Sequence, residues 1–328
     1  MCKIRSITCD VVIITHNRPE YLSEAVDCVI SQSFSDFNCY VISDYKPEWE
    51  DLAKYLATLN DERFELIRNS TPGANASRNK GLVASNSCCV AFLDDDDTWH
   101  KDKLHKHVKL HSTQPDLSYS YSSVLRFHEA GEIMNLYCEA SLREGGPAFQ
   151  ALGPATTSAV VVNREKALSV GGFDEVLPAV QDWDLFYRLC LDGGRSSQPC
   201  ACIKQALVNY RYHRNTRISG SVKRRHRAVH LIMGKYPDDS DVVSIARGWI
   251  KQAVATSQWD AGFERNLWRR FTSVSLVTMD NWRTLLIHPE LLLRAFYYIL
   301  IGFFFSTILA SSITFPPFAK IFVICILE

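Results

Sequence analysis

The chain has 328 residues, and its 36 Lys+Arg balance 36 Asp+Glu, so the formal net charge is zero. A balanced chain lacks the basic excess that counterion release on nucleic acid requires, which argues against a nucleic-acid partner. At 47% hydrophobic and 22% charged residues the composition is that of a globular protein, and the length suits one large domain with an appendage or two modest domains.

Val11-Val12-Ile13-Ile14 is a short apolar run that predicts a strand, and it ends in the polar loop Thr15-His16-Asn17-Arg18. Pro19 suits the first turn of a helix, and Tyr21, Leu22, Ala25, Val26, Val29 and Ile30 follow at helical spacing. Cys39 to Ile42 predicts a second strand ending at Ser43-Asp44, and a helix follows from about Glu48 to Leu59. Phe64 to Ile67 makes a third strand, and Pro72-Gly73 marks a turn before a helix over Ala74 to Ala84. Cys88 to Leu93 is a fourth strand that runs directly into Asp94-Asp95-Asp96-Asp97. Beyond it, Leu117 to Phe127 and Ser158 to Asn163 read as strands, Gly171 to Asp174 as a turn, and Asp182 to Leu191 as a helix. Residues 222 to 290 look mainly helical.

Strands alternating with helices imply a largely parallel sheet, whose ligands sit at the carboxyl ends of the strands. Thr15 to Arg18, Asp44 and Asp94 to Asp97 each fall just after a predicted strand, so three polar clusters share one sheet edge. Adjacent carboxylates repel: at an effective dielectric near 20, two charges ~5 Å apart cost about 3 kcal/mol. A divalent cation relieves that repulsion, and a hard ion such as Mg²⁺ takes one or two carboxylates plus substrate phosphates. The four aspartates therefore suggest a metal diphosphate. The alternative is an acidic turn at the start of the next helix.

Five motifs, in order, carry a resemblance over roughly residues 9 to 220. They are Val11 to Pro19 with the helix ending Ser31-Gln32-Ser33-Phe34; Gly73-Ala74-Asn75-Ala76-Ser77-Arg78-Asn79-Lys80-Gly81; and Phe92-Leu93-Asp94-Asp95-Asp96-Asp97-Thr98-Trp99. Gly171-Gly172-Phe173-Asp174-Glu175 with Gln181-Asp182-Trp183-Asp184-Leu185 is the fourth, and Tyr210-Arg211-Tyr212-His213 the fifth. The chain thereby resembles the family 2 glycosyltransferases.

That resemblance implies an α/β GT-A fold, a mostly parallel sheet flanked by helices, with a helical, hydrophobic C-terminal extension. It implies an inverting enzyme that moves a sugar from a nucleotide-diphosphate sugar, UDP on family grounds, to an acceptor hydroxyl. Residue by residue, Asp182 would be the catalytic base. Thr15, Asn17, Arg18 and Arg78 would line the nucleotide pocket, and Asp44 would contact the nucleobase or ribose. Asp94, Asp95 and Asp96 would serve the donor diphosphate, with Asp94, Asp96 and His213 toward a Mg²⁺ or Mn²⁺ ion. Two positions depart from the family pattern: Ser43-Asp44-Tyr45-Lys46 keeps one acid and no glycine, and Gln181-Asp182 replaces Glu-Asp. The expected organisation is a nucleotide-sugar half over 1–115, an acceptor half with the base over 116–220, a helical extension over 221–290 and a membrane-associating segment over 291–328.

Each role has an ordinary counterpart. Asp182 also fits an N-cap. Trp183 fits either a sugar-stacking face or core packing, and Arg78 either a phosphate contact or a surface ion pair. His100, His105, His107 and His111 crowd the helix after the aspartates. His107 and His111 are one turn apart and have metal-ligand spacing, but a solvated helix face is the reading adopted. A nucleotidyltransferase is the first rival reading, though its Gly-rich phosphate loop is lacking in Thr15 to Arg18; a non-catalytic nucleotide- or carbohydrate-binding module is the second.

The 11 cysteines are odd in number, without a CxxC pair, which fits a reducing compartment better than secretion. Ala295 to Ala319 carries no charge and is long enough to span a bilayer, or to form a hairpin broken at Pro316-Pro317, or to bury an interface. Arg211 to Arg227 holds seven cations and no acid, which suits anionic lipid or, equally, neutralisation of the donor phosphates. The expected setting is the cytoplasmic face of the cell membrane, with a lipid-linked glycan as acceptor in cell-surface polysaccharide synthesis.

Overall fold

β1 (Cys9–Thr15) is buried almost throughout, as an unbroken apolar run demands of a strand covered on both faces. The structure is a computed structural model that describes residues 7–128, 136–192, 199–212 and 222–249. The chain up to Arg247 forms one unit. β1 pairs in parallel with β2 (Cys39–Ser43) on one side and β4 (Cys89–Asp94) on the other, and β2 pairs in parallel with β3 (Phe64–Arg68).

Successive side chains point to opposite faces of a strand, so β1 serves two layers. Cys9, Val11 and Ile13 enter a core with α1 (Pro19–Ile30) and α2 (Trp49–Thr58). Pro19 opens α1, and Leu22, Ala25, Val26 and Val29 recur at helical spacing and are fully buried. Burying each of the larger of these contributes roughly 1.5–3 kcal/mol. Val12 faces the other way, onto α3 (Ala74–Ala84). A Cβ at Gly81 would lie 2.4 Å from Val12 Cγ1, so glycine is what lets this helix approach the sheet.

α3 buries polar residues, Asn75, Ser77 and Arg78 among them, and buried polar groups need partners. Asn75 Nδ2 donates to the carbonyls of Asp174 and Leu177, at 2.8 and 3.1 Å. Asn79 Nδ2 donates to Phe173 O at 2.8 Å, and its Oδ1 accepts the Phe173 N–H at 2.7 Å. The helix thus holds the turn at 171–177 through its amide side chains.

Beyond β4 the sheet becomes mixed. β8 (Val160–Asn163) is antiparallel to β4 and to β6 (Tyr119–His128). β6 runs parallel to β9 (Cys200–Tyr212), with register shifts after Ser122 and after Ser123. β9 is antiparallel to β5 (Thr98–Trp99), and β7 (Leu136–Cys138) adds to β6. Among the described residues the order is β3-β2-β1-β4-β8-β6-β9-β5. The α/β class expected from the sequence holds, with the parallel half where the alternation of strands and helices is clearest. The helices of the second half are α4 (Lys103–Thr113), α5 (Pro147–Gln150), α6 (Arg164–Ser169), α7 (Gln181–Asp192) and α8 (Val222–Lys235). Residues 240–249 are also helical, and 250–290 lie outside the described residues.

One expectation is overturned on α4. His107 and His111 do not face solvent: they are 0% and 2% exposed. Both turn onto the Ser120 hydroxyl of β6, at 2.7 Å from His107 Nδ1 and 3.0 Å from His111 Nε2. Lys103, on the same face, is fully buried, with its Nζ 4.0 Å from the Trp99 ring centroid. Burial pushes the Lys103 pKa down to about 7. The polar side of α4 is the inner side because Ser120 of β6 meets both histidines there. Among the described residues no helix is long and apolar enough to cross a membrane; Ala295 to Ala319 lies outside them.

Candidate active site

The acidic run leaves the carboxyl end of β4 and turns at once, the Asp97 N–H donating to Asp94 O at 3.1 Å. The four carboxylates separate by exposure. Asp95 and Asp97 are buried, whereas Asp94 and Asp96 keep partial exposure, with side chains 28% and 19% accessible. Arg78 Nη2 donates to Asp94 Oδ1 at 2.6 Å. Arg18 Nη1 donates to Asp96 Oδ2 at 2.7 Å and to Asp95 Oδ1 at 3.2 Å. Thr15 Oγ1 donates to Asp95 Oδ2 at 2.9 Å. The Arg211 N–H donates to Asp97 Oδ1 at 3.0 Å, and its Nε to Asp96 O at 3.1 Å.

The repulsion foreseen from the sequence is relieved in two ways here. Arginines stand against the carboxylates, and burial favours the neutral acid. Burial raises the Asp95 pKa to about 7, against the opposing pull of Arg18. Burial likewise holds the Asp97 carboxyl well above the usual carboxylate range, helped by the charges of Asp96 and Asp94.

The loops after β1, β2 and β3 meet at Asp44. Its Oδ1 is 2.6 Å from His16 Nδ1, and its Oδ2 accepts the Gly73 N–H at 2.6 Å. The His16 ring packs on Tyr45, with centroids 5.0 Å apart. Asn17 adopts a left-handed backbone, φ 54°. With Tyr45, Tyr55 and Glu48 it lines a cleft of about 560 Å³ between α1 and α2.

Asp182 lies inside the first turn of α7 rather than before it, and its Oδ1 accepts the Trp183 N–H at 2.9 Å. Val180, just ahead, takes φ 53°, a costly conformation for a β-branched residue. Burial raises the Asp182 pKa; the Trp183 N–H and the Arg78 guanidinium oppose the rise, and the Asp94 charge adds to it. The charges of Arg78 and Asp94 thus reach Asp182. Arg78 is 4% exposed, and its Nε and Nη1 have no hydrogen-bond partner in the described structure. The guanidinium also lies over Phe173, 5.5 Å from the ring centroid.

The structure thus brings together Thr15, Arg18, Arg78, Asp94, Asp95 and Asp96, with Asp182 within reach of the Arg78 and Asp94 charges. Asp44 and Asn17 stand at the neighbouring β1–β2 loops, and His213 lies outside the described residues. Trp183 proves to be core: it is 4% exposed, stacks on Tyr187 and donates from Nε1 to Ala148 O. Two participants were not singled out from sequence. Ser158 Oγ accepts the Asp94 N–H at 3.2 Å. Arg211 clamps the acidic turn and lies between the rings of Tyr21 and Phe127, pairing with Glu24. Its place in the motif Tyr210 to His213 was the available signal for it.

Two partly exposed carboxylates two residues apart are a fitting donor set for a hard divalent ion that also takes phosphate oxygens. Among the described residues no group of three or more His, Cys, Asp and Glu side chains is arranged to hold a metal by itself.

A profile described as glycosyl transferase family 2 matches residues 10–161. The amylovoran biosynthesis glycosyltransferase AmsB of Erwinia amylovora is 28% identical over 67% of this chain and 74% of its own length. Among solved structures, the mannosyltransferase PcManGT of Pyrobaculum calidifontis, in complex with GDP-Man and Mn²⁺, superposes with TM-score 0.58 at 15% identity, over 90% of this chain and 87% of that one. TarS of S. aureus (residues 1–349) in complex with UDP-GlcNAc does so with TM-score 0.55 at 13% identity, over 76% and 72%. The fold is the GT-A fold, and the protein is a glycosyltransferase. Over residues 10–161 it is similar to glycosyl transferase family 2.

Proposed function

We propose that the chain transfers a sugar, with inversion, from a nucleotide-diphosphate sugar to an acceptor hydroxyl on a growing cell-surface polysaccharide. The relatives support the product class: AmsB is named for amylovoran biosynthesis, and ExoW of Rhizobium meliloti, 39% identical over 89 residues, for succinoglycan biosynthesis. UDP is the nucleotide we favour. Residues 1–115 would supply the donor site, 116–220 the acceptor side and the base, and 221–290 a helical extension.

The observation that carries this reading is the Arg78–Asp94 pair at the carboxyl end of the sheet, whose charges act on Asp182 in the first turn of α7. Asp182 accepts the proton of the acceptor hydroxyl as that oxygen attacks the anomeric carbon. The bond from that carbon to the diphosphate breaks on the opposite face, and the nucleotide diphosphate leaves with the bonding pair. Burial raises the proton affinity of Asp182, which suits a base, while Arg78 keeps its charged form accessible. The unpartnered Arg78 donors are a preorganised anchor for donor oxygens. Thr15, Arg18 and Asp95 hold the acidic turn in shape, and Asn17 and Asp44 flank the nucleoside. Asp94 and Asp96, with His213, would hold Mg²⁺ or Mn²⁺, which when bound neutralises charge on the diphosphate.

Calorimetry with a panel of nucleotide diphosphates, with and without Mn²⁺, tests the site. Metal-dependent binding of one nucleotide should vanish in Asp96→Ala. Asp182→Asn should keep that binding while turnover falls by about 10²–10⁴-fold. Turnover unchanged in Asp182→Asn would remove the base from the mechanism, and no binding under any metal condition would remove the donor site.

A further inference from the structure

Asp184, two residues past the proposed base, is completely buried and yet is surrounded by donors from α7 itself and from the end of α8. Arg188, one helical turn along α7, gives Nε and Nη2 to Asp184 Oδ2 at 2.9 and 2.6 Å. The same guanidinium donates to Val170 O at 2.5 Å and Gly172 O at 2.7 Å, so it ties α7 to the glycine turn. The other partners come from the end of α8. Lys235 Nζ donates to Asp184 Oδ1 at 2.9 Å and to Asp174 Oδ2 at 2.8 Å. Tyr236 Oη donates to Asp184 Oδ1 at 2.8 Å. Just beyond, Asp239 Oδ2 accepts the Tyr187 hydroxyl at 2.5 Å, and the rings of Tyr187 and Tyr236 meet edge to face, 4.8 Å apart.

We propose that Lys235 and Tyr236 are positioning residues for the transfer reaction: through Asp184 and Asp174 they fix the first turn of α7, and with it the base Asp182. This inference rests on the reading of Asp182 as the base. The end of α8 grips both pieces of backbone that set the base, the turn carrying Asp174 and the helix carrying Asp184. Two acids, Asp174 and Asp184, face two cations, Arg188 and Lys235, so the charges close within the cluster. Val180 pushes in the other direction, since its left-handed backbone at the start of α7 is held only by its surroundings. Releasing the α8 grip lets that turn relax. Among the described residues the side-chain hydrogen bonds of Lys235 and Tyr236 go to Asp174 and Asp184 and none goes to Thr15, Arg18, Asp94 or Asp96, so donor binding is separable from base placement.

The test uses the full chain in detergent with Mn²⁺, measuring nucleotide release from UDP-GlcNAc, UDP-glucose, UDP-galactose and GDP-mannose. Lys235→Met should lower kcat about 10- to 100-fold, because a base displaced by ~1 Å loses that much, while the donor KM stays within about twofold. Lys235→Arg, which keeps the cation, should recover most of the loss, and Tyr236→Phe should show the same split more weakly. A kcat within twofold of wild type in Lys235→Met and Tyr236→Phe, a KM that rises in step with the loss, or an Arg variant no better than Met overturns the proposal. Should Lys235→Met fail to fold, Tyr236→Phe decides by the same split. Should wild type release no nucleotide from any donor, the transferase reading fails on its own. Amide exchange then judges this inference: the first turn of α7 should exchange at least about tenfold faster in Tyr236→Phe, and unchanged exchange overturns it.

Discussion

Side by side on one turn, Asp94 and Asp96 keep surface while Asp95 and Asp97 are enclosed. The sorting arises in the turn that closes from Asp94 to Asp97 at the end of β4. It sorts four chemically identical residues into two that can meet a ligand and two that hold the turn through Thr15, Arg18 and the Arg211 amide. Burial acts on the histidines of α4 in the opposite sense from the carboxylates. It pulls His107 well below the ordinary histidine range and His111 down to about 4. A group whose folded pKa is depressed binds its proton first in the unfolded chain. Its stabilisation is therefore full above about pH 6.5 and declines as the pH falls toward the folded pKa. Thermal unfolding followed from pH 7 to pH 4.5 should show a falling Tm in wild type and a shallower fall in His111→Gln. Parallel curves would show that the histidine seam does not carry the acid sensitivity.

Between elements, the contacts that shape the site run through amide and guanidinium side chains rather than through the apolar core. α3 reaches the turn at 171–177 through Asn75 and Asn79, and α7 reaches it through Arg188. Gly172 stands where the two meet. It has φ 67°, and a Cβ on it would lie 2.5 Å from Asn79 Oδ1, the atom that accepts the Phe173 N–H. Gly172→Ala meets both the left-handed backbone and that contact, and should lower unfolding stability by about 1–3 kcal/mol in a denaturant titration. It should also reduce turnover, because Phe173 lies against Arg78. Wild-type stability in this variant would mean that the turn is free to move away from α3.

At the scale of the whole molecule, an uncharged stretch at Ala295 to Ala319 follows a unit that ends at Arg247. We propose that it carries the enzyme to the cytoplasmic membrane face, where a lipid-linked acceptor would be presented. Deleting residues 291–328 should shift the chain from the membrane pellet to the soluble fraction, with metal-dependent nucleotide binding retained; unchanged partition would sink the anchor. The first half of the fold was legible in the chain because its information is local. Apolar runs such as Val11 to Ile14 end at polar loops, Pro19 and Gly73 mark helix starts, and the order of motifs carries the family. Ligand-bearing loops follow once strands alternate with helices, so Thr15, Asp44 and the four aspartates were placed at one edge from sequence. Tertiary structure alone decided the rest. The inner face of α4 is set by Ser120 of β6, not by its own pattern, which is why His107 and His111 were misread. Trp183 was settled as core by Ala148 and Tyr187, and Arg211 meets the acidic turn across more than a hundred residues of chain. Such choices depend on which surfaces meet, and residues distant in sequence come into register only when the sheet has closed.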